Sequence, residues 1–176
     1  SWHWSNDFQK VNETIIPGAG TSFEKRDYTW SDTGLQNGIP YFYRLETVDS
    51  FGELSQTRTI AAVPHVSDLD VQVGLTSDRR IYSENDPMRI SGRLWNAGTR
   101  EDIRVQVVLL INGDYVGDIV PSTLMRITSG LDLTFTFADH VWTGAEPEGT
   151  YTIGTIVQDP VSNELIHVEI NEFLVN

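Results

Sequence analysis

Residues 81–111 read IYSENDPMRISGRLWNAGTREDIRVQVVLLI, and this stretch decides the fold. Met88, Ile90, Gly92 and Leu94 alternate with Arg89, Ser91, Arg93 and Trp95. A period of two places alternate side chains on opposite faces of a strand. Asp86-Pro87 before the run suits a type I turn, and Asn96-Ala97-Gly98 after it reads as a loop. Val105, Val107, Leu109 and Ile111 then form a second face with the same period, closed by Asn112-Gly113, a pair suited to positive φ in a hairpin.

Working outward, the same signal recurs. Leu131, Leu133, Phe135 and Phe137 alternate with polar residues, and Tyr151, Ile153, Thr155 and Val157 form another face of period two. No window carries a sustained apolar period of 3.6 residues. Strands are predicted near 69–75, 88–95, 103–111, 114–119, 131–138, 150–158 and 165–174. Seven short strands with turns between them predict an all-β, antiparallel sandwich over residues 65–176. A boundary is expected near Ala62-Val63-Pro64-His65, where a strand-like run meets a proline. Residues 1–64 then form a separate, shorter module.

Within that first module, residues 28–63 read YTWSDTGLQNGIPYFYRLETVDSFGELSQTRTIAAV. Leu35 lies six residues before Tyr41, and Tyr41-Phe42-Tyr43-Arg44-Leu45 is followed by Val48-Asp49 and the turn Ser50-Phe51-Gly52. This segment resembles the second half of a fibronectin type III domain of the bacterial secreted kind. The resemblance implies that Tyr41 is a structural corner tyrosine, its hydroxyl bonded back to a preceding backbone group. The strands that open such a domain have no counterpart here. Three arrangements stay open: a fragment of a longer chain, strands supplied by another chain, or direct packing of the short segment on the second module.

The second module resembles the immunoglobulin-like accessory domains of bacterial exoproteins. The resembling residues are Ile81 to Ile90, Leu94-Trp95-Asn96-Ala97-Gly98, Gly113-Asp114-Tyr115-Val116 and Gly149 to Gly154. Asn85 stands where a glycine is usual, which a residue tolerant of the left-handed region permits. The resemblance implies a secreted or cell-surface bacterial protein, with a spacer or adhesion role.

The chain has 176 residues, 12 Lys+Arg, 25 Asp+Glu and no Cys, a net charge of −13. Such acidity argues against gripping nucleic acid or an anionic membrane. Absence of Cys removes a disulfide framework, Cys-ligated zinc and a thiol nucleophile. Divided at the expected boundary, residues 1–64 carry −3 and residues 65–176 carry −10. Ten of the 12 basic residues are Arg, and an acidic, Lys-poor surface fits salty surroundings. The opening Ser1-Trp2-His3-Trp4 lacks the basic start and apolar run of a signal peptide. No stretch approaches a transmembrane helix, so no membrane insertion is expected.

Catalytic motifs are missing. The four His (3, 65, 140 and 167) have no ligand spacing, and neither a nucleophile elbow nor a phosphate loop occurs. The expectation is a non-enzyme without a resident cofactor. Two binding readings remain. Trp95 with Arg89 and Arg93 lies on the outward parity of one strand, where an indole flanked by guanidinium groups would form a ligand strip. This makes a carbohydrate-binding module of an exoenzyme the main alternative. Asp68, Asp86 and Asp139 would hold Ca²⁺ if they converged at one end of the sandwich. Further alternatives are a subunit of an extracellular filament completed by strand exchange, so self-assembly is open, and the C-terminal region of a secreted peptidase. Asn12-Glu13-Thr14 is a glycosylation sequon that matters only in a glycosylating host.

Overall fold

A computed structural model of the chain describes residues 8–12, 14–18, 26–64, 71–99 and 102–176. Among these residues the regular structure is all β, with no helix. Four short strands come first: β1 (Tyr41–Tyr43), β2 (Glu46–Val48), β3 (Leu54–Gln56) and β4 (Ile60–Ala62). Eight follow: β5 (Val71–Ser77), β6 (Ile81–Tyr82), β7 (Pro87–Asn96), β8 (Asp102–Ile111), β9 (Asp114–Arg126), β10 (Leu131–Val141), β11 (Gly149–Gln158) and β12 (Leu165–Val175).

The eight later strands form two sheets, β10-β7-β5 and β6-β12-β11-β8-β9. All pairs are antiparallel except β6, which joins the end of β12 in parallel through Leu174↔Ile81 and Val175↔Tyr82. The two sheets face each other across an apolar core. Val71, Val73 and Leu75 of β5 and Ile90 and Leu94 of β7 meet Ile103 and Val105 of β8 and Ile153 and Val157 of β11. This is a β-sandwich, as the alternation predicts.

Turn chemistry follows the sequence. Asn112 and Gly113 take φ of 53° and 87° and close β8 onto β9, and Asn85 takes 68°. Three details depart from the periodicity. Ile81–Tyr82 pairs as an eighth strand. Strand β9 does not end at residue 119 but continues through Pro121 to Arg126, with register shifts against β8. An edge strand tolerates both, because its outer side owes no ladder bonds. In β10 the inward alternation from Leu131 to Phe137 breaks at a bulge between Thr136 and Ala138. The bulge re-aims the strand, so that Asp139 pairs with Arg89 and His140 with Met88.

The first segment consists of two ribbons, β1-β4 and β2-β3. It packs on the outer face of the five-stranded sheet. Phe42, Ala61 and Val63 cover Val108, Leu110, Ile156, Leu165 and Val168, a second apolar cluster on the far side of β8, β11 and β12 from the main core. Polar ties flank it. Arg58 Nη1 donates to Asn171 Oδ1 at 3.4 Å, and the Thr59 N–H donates to Glu172 at 3.4 Å. Asn171 Oδ1 also accepts from the backbone and hydroxyl of Ser77, so one buried amide ties β12, β5 and the residues before β4 together. The residues linking the two segments, 65–70, lie outside the described residues.

Candidate binding surfaces

The outward face of the three-stranded sheet carries the strip expected at Trp95. Arg89, Arg93 and Trp95 alternate with buried Ile90 and Leu94 and so share one side of β7. Their guanidinium groups are already engaged. Arg93 makes a bidentate contact with Asp132 (Nε–Oδ1 2.8 Å, Nη2–Oδ2 2.7 Å). Arg89 Nε donates to Asp139 Oδ1 at 2.8 Å. The hydrogen bond and charge of Asp132 raise the Arg93 pKa, and Arg93 lowers that of Asp132. Asp139 acts likewise on Arg89. Trp95 is half-buried, directly between Asp132 on β10 and Gln72 on β5. The face is thus a row of internally neutralised pairs with one indole among them.

An open groove of about 540 Å³ lies at the end of this sheet, lined by Asp78, Pro87, Met88, Arg89, Asp139, His140 and Val141. Its polar groups are also engaged. Asp78 Oδ1 accepts from the Tyr82 hydroxyl (2.7 Å) and the Arg89 N–H (2.9 Å). The Tyr82 hydrogen bond, then the backbone of Arg89, holds the Asp78 carboxyl below its usual value. Burial, reinforced by Asp78, pushes Tyr82 up to about 12.

Of the calcium candidates, Asp68 lies outside the described residues. Asp86 and Asp139 are brought to the same end of the sheet, since Pro87 pairs with Val141. Each is committed to its own arginine. Asp86 accepts from Arg79 Nη1 and from the Ser83 N–H, both at 2.8 Å, and Asp139 from Arg89. Among the described residues no group of three or more His, Cys, Asp or Glu is arranged to hold a metal.

Below the groove sits an aromatic cluster that the alternation did not reveal. Trp142, 4% exposed, packs edge-on against Tyr151 at 5.2 Å and tilted against Tyr82 at 6.0 Å, while Phe173 stacks on Tyr151 at 5.6 Å. The loop after Trp142 is closed by Glu146. One of its oxygens takes the N–H and hydroxyl of Thr143, both at 2.9 Å, and the other meets His140 Nε2 at 3.1 Å. Burial alone would raise the Glu146 pKa. The N–H groups of Glu146 and Thr143, the Thr143 hydroxyl and His140 outweigh it and hold the carboxyl at about 2. His167 meets Glu169 at 3.6 Å, whereas His3 and His65 lie outside the described residues.

On the first segment, the Gln36 N–H donates to the Tyr41 hydroxyl at 3.0 Å, a bond back to preceding backbone. Tyr43 donates to Asp32 at 2.9 Å, and burial followed by that carboxylate pushes Tyr43 up to about 12. Trp30, 44% exposed, lies edge-on to Tyr43. The β2-β3 hairpin points Phe51 into solvent at 91% exposure, with Val48 and Leu54 paired behind it. Its turn is built, not loose. Asp49 Oδ1 accepts from the N–H groups of Phe51 (2.8 Å) and Glu53 (2.9 Å), and Gly52 takes φ of 85°.

No family model matches the chain. No curated protein matches it closely enough to count as a relative. Solved structures are similar to part of the chain. A CARDB domain from Pyrococcus furiosus, solved in complex with di-metal ions, is 17% identical over 61% of this chain and 91% of its own, with a TM-score of 0.40. A Niemann-Pick type C2 protein from the Japanese carpenter ant is 8% identical over 62% and 98%, at 0.39. A β-glucosidase from Listeria innocua is 12% identical over 61% of this chain and 16% of that one, at 0.37. A likeness this distant carries nothing about family, activity, metal or ligand.

Proposed function

We propose that this chain is a non-catalytic structural module of a secreted or cell-surface protein. It acts as a rigid spacer whose first segment makes protein or surface contacts. The observation that carries this reading is the apolar seam under Phe42, Ala61 and Val63. Two units joined only by a linker reorient freely, whereas an apolar contact flanked by polar ties holds one angle. The hairpin bearing Phe51, Val48 and Leu54 supplies apolar contact area on a preset turn. The Tyr41 bond to Gln36 supports reading the first segment as fibronectin type III-like. The committed Arg89 and Arg93 weigh against a sugar-binding strip at Trp95. NMR relaxation of backbone amides tests the spacer. One rotational correlation time is expected for β1–β4 and β5–β12, and separate tumbling of the first segment would end the reading. Antibody labelling of intact host cells tests the location: signal only after permeabilisation would contradict it.

A further inference from the structure

The chain contains two Asn-Gly pairs, Asn37-Gly38 and Asn112-Gly113. Glycine after asparagine is the pair most open to spontaneous deamidation, because no Cβ shields the attacking nitrogen. In this reaction the deprotonated Gly nitrogen bonds to the Asn side-chain carbonyl carbon. The bond from that carbon to the side-chain nitrogen breaks, and ammonia leaves carrying the glycine proton. Water then opens the resulting succinimide at either carbonyl, giving aspartate or isoaspartate.

The two sites differ in what must first be undone. The Asn112 side chain is clamped to β11. Its Oδ1 accepts from the Thr150 N–H at 2.9 Å, and the backbone N–H of Asn112 donates to the Thr150 carbonyl at 2.8 Å. Gly149 lies so close that a Cβ there would overlap the Asn112 amide. Reaching Gly113 means pulling the side chain out of an intact five-stranded sheet. Asn37 is exposed, and its side chain makes no hydrogen bond among the described residues. The attacking nitrogen there is held by the Gly38 N–H donating to the Pro64 carbonyl at 2.9 Å, beyond the ends of a three-residue ribbon. Fraying such an end costs little compared with opening a sheet.

We infer that Asn37 is a site of spontaneous deamidation in the folded protein, and that the clamp on Thr150 protects Asn112. The modification acts on the seam. Gly38 lies against Glu164, its missing Cβ 3.5 Å from the Glu164 Cγ. A new carboxylate at residue 37 adds like charge there, and isoaspartate also inserts an extra backbone carbon into the turn that holds Pro64. This consequence rests on the seam described under the proposed function.

The test is incubation of the whole chain at mildly alkaline pH, folded and in urea, followed by peptide mapping for isoaspartate at both sites. In urea the two Asn-Gly pairs are expected to react at similar rates. In the folded protein residue 112 is expected to be about five- to tenfold slower than residue 37, the effect of at least one hydrogen bond. Equal rates in the folded protein, or faster reaction at Asn112, would overturn the inference, as would residue 37 being as protected as residue 112. Asn37→Gln should abolish the signal at 37 alone. Aged protein should exchange amide hydrogens faster in β1 and β4, with β5–β12 unchanged, and no change there would remove the effect on the seam. The site preference is read without reference to tumbling, so a failed spacer reading and a failed deamidation site are distinguishable.

Discussion

The sandwich and the first segment are built from the same kind of strand but hold themselves together differently. Apart from two-residue β6, sandwich strands run 7–13 residues, and their inner faces bury a common core. The strands of the first segment have three residues each, and β2 and β3 are exposed throughout. A two-stranded ribbon of this length is not stable alone in water. Its order comes from the sheet it lies on. The difference teaches that one module supplies stability and the other is held in place by it.

The largest effect that would break this comparison is expected at Trp142. Trp142→Ala leaves a void among Tyr82, Tyr151 and Phe173 and should cost about 3–5 kcal/mol. Denaturant unfolding should show both segments lost together. If the first segment stayed ordered after the sandwich melted, its dependence would be disproved. Gly92→Ala comes next. The added Cβ would run into the Phe135 ring, an overpacking of about 1–3 kcal/mol. Combining it with Phe135→Leu should recover part of that loss, and a strictly additive double mutant would show that the two sites do not touch.

Phe42→Ala sharpens the contrast at a smaller scale. Truncating a half-buried ring should cost about 1 kcal/mol, all of it in the seam. Hydrogen exchange should accelerate in β1 and β4 while β7 and β11 stay protected. The smallest effect concerns pH. Glu146 is held at about 2, below its ordinary 4.5. A carboxyl with a depressed folded pKa stabilises above the unfolded value and loses that contribution as pH falls from about 4.5 toward 2. Glu146→Gln should flatten this part of the pH–Tm curve, and an unchanged slope would assign the acid sensitivity to other carboxylates.

The alternation in β7, with its one buried face, and the period-two faces in β8 and β11 made the sandwich legible. The seam left a signal too. Val107-Val108-Leu109-Leu110-Ile111 is a continuous apolar run, and a strand apolar on both sides is covered on both sides. Reading only its alternate residues hid the second cluster. The strip of Arg89, Arg93 and Trp95 was legible as a face, but the partners of its arginines were not. The bulge after Thr136 decides that Asp139 meets Arg89, and bulges leave little trace in composition.

Local chemistry in the sequence was enough for the long alternating strands, the core-facing side of β7 and the turns at Asn85 and Asn112-Gly113. These depend on neighbours two to four residues away. Only the tertiary structure decided which carboxylate neutralises which arginine, which asparagine is clamped, and that the short first segment lies on β8, β11 and β12. Those contacts join residues as far apart as Arg58 and Asn171, and register and packing choose such pairs where spacing along the chain cannot.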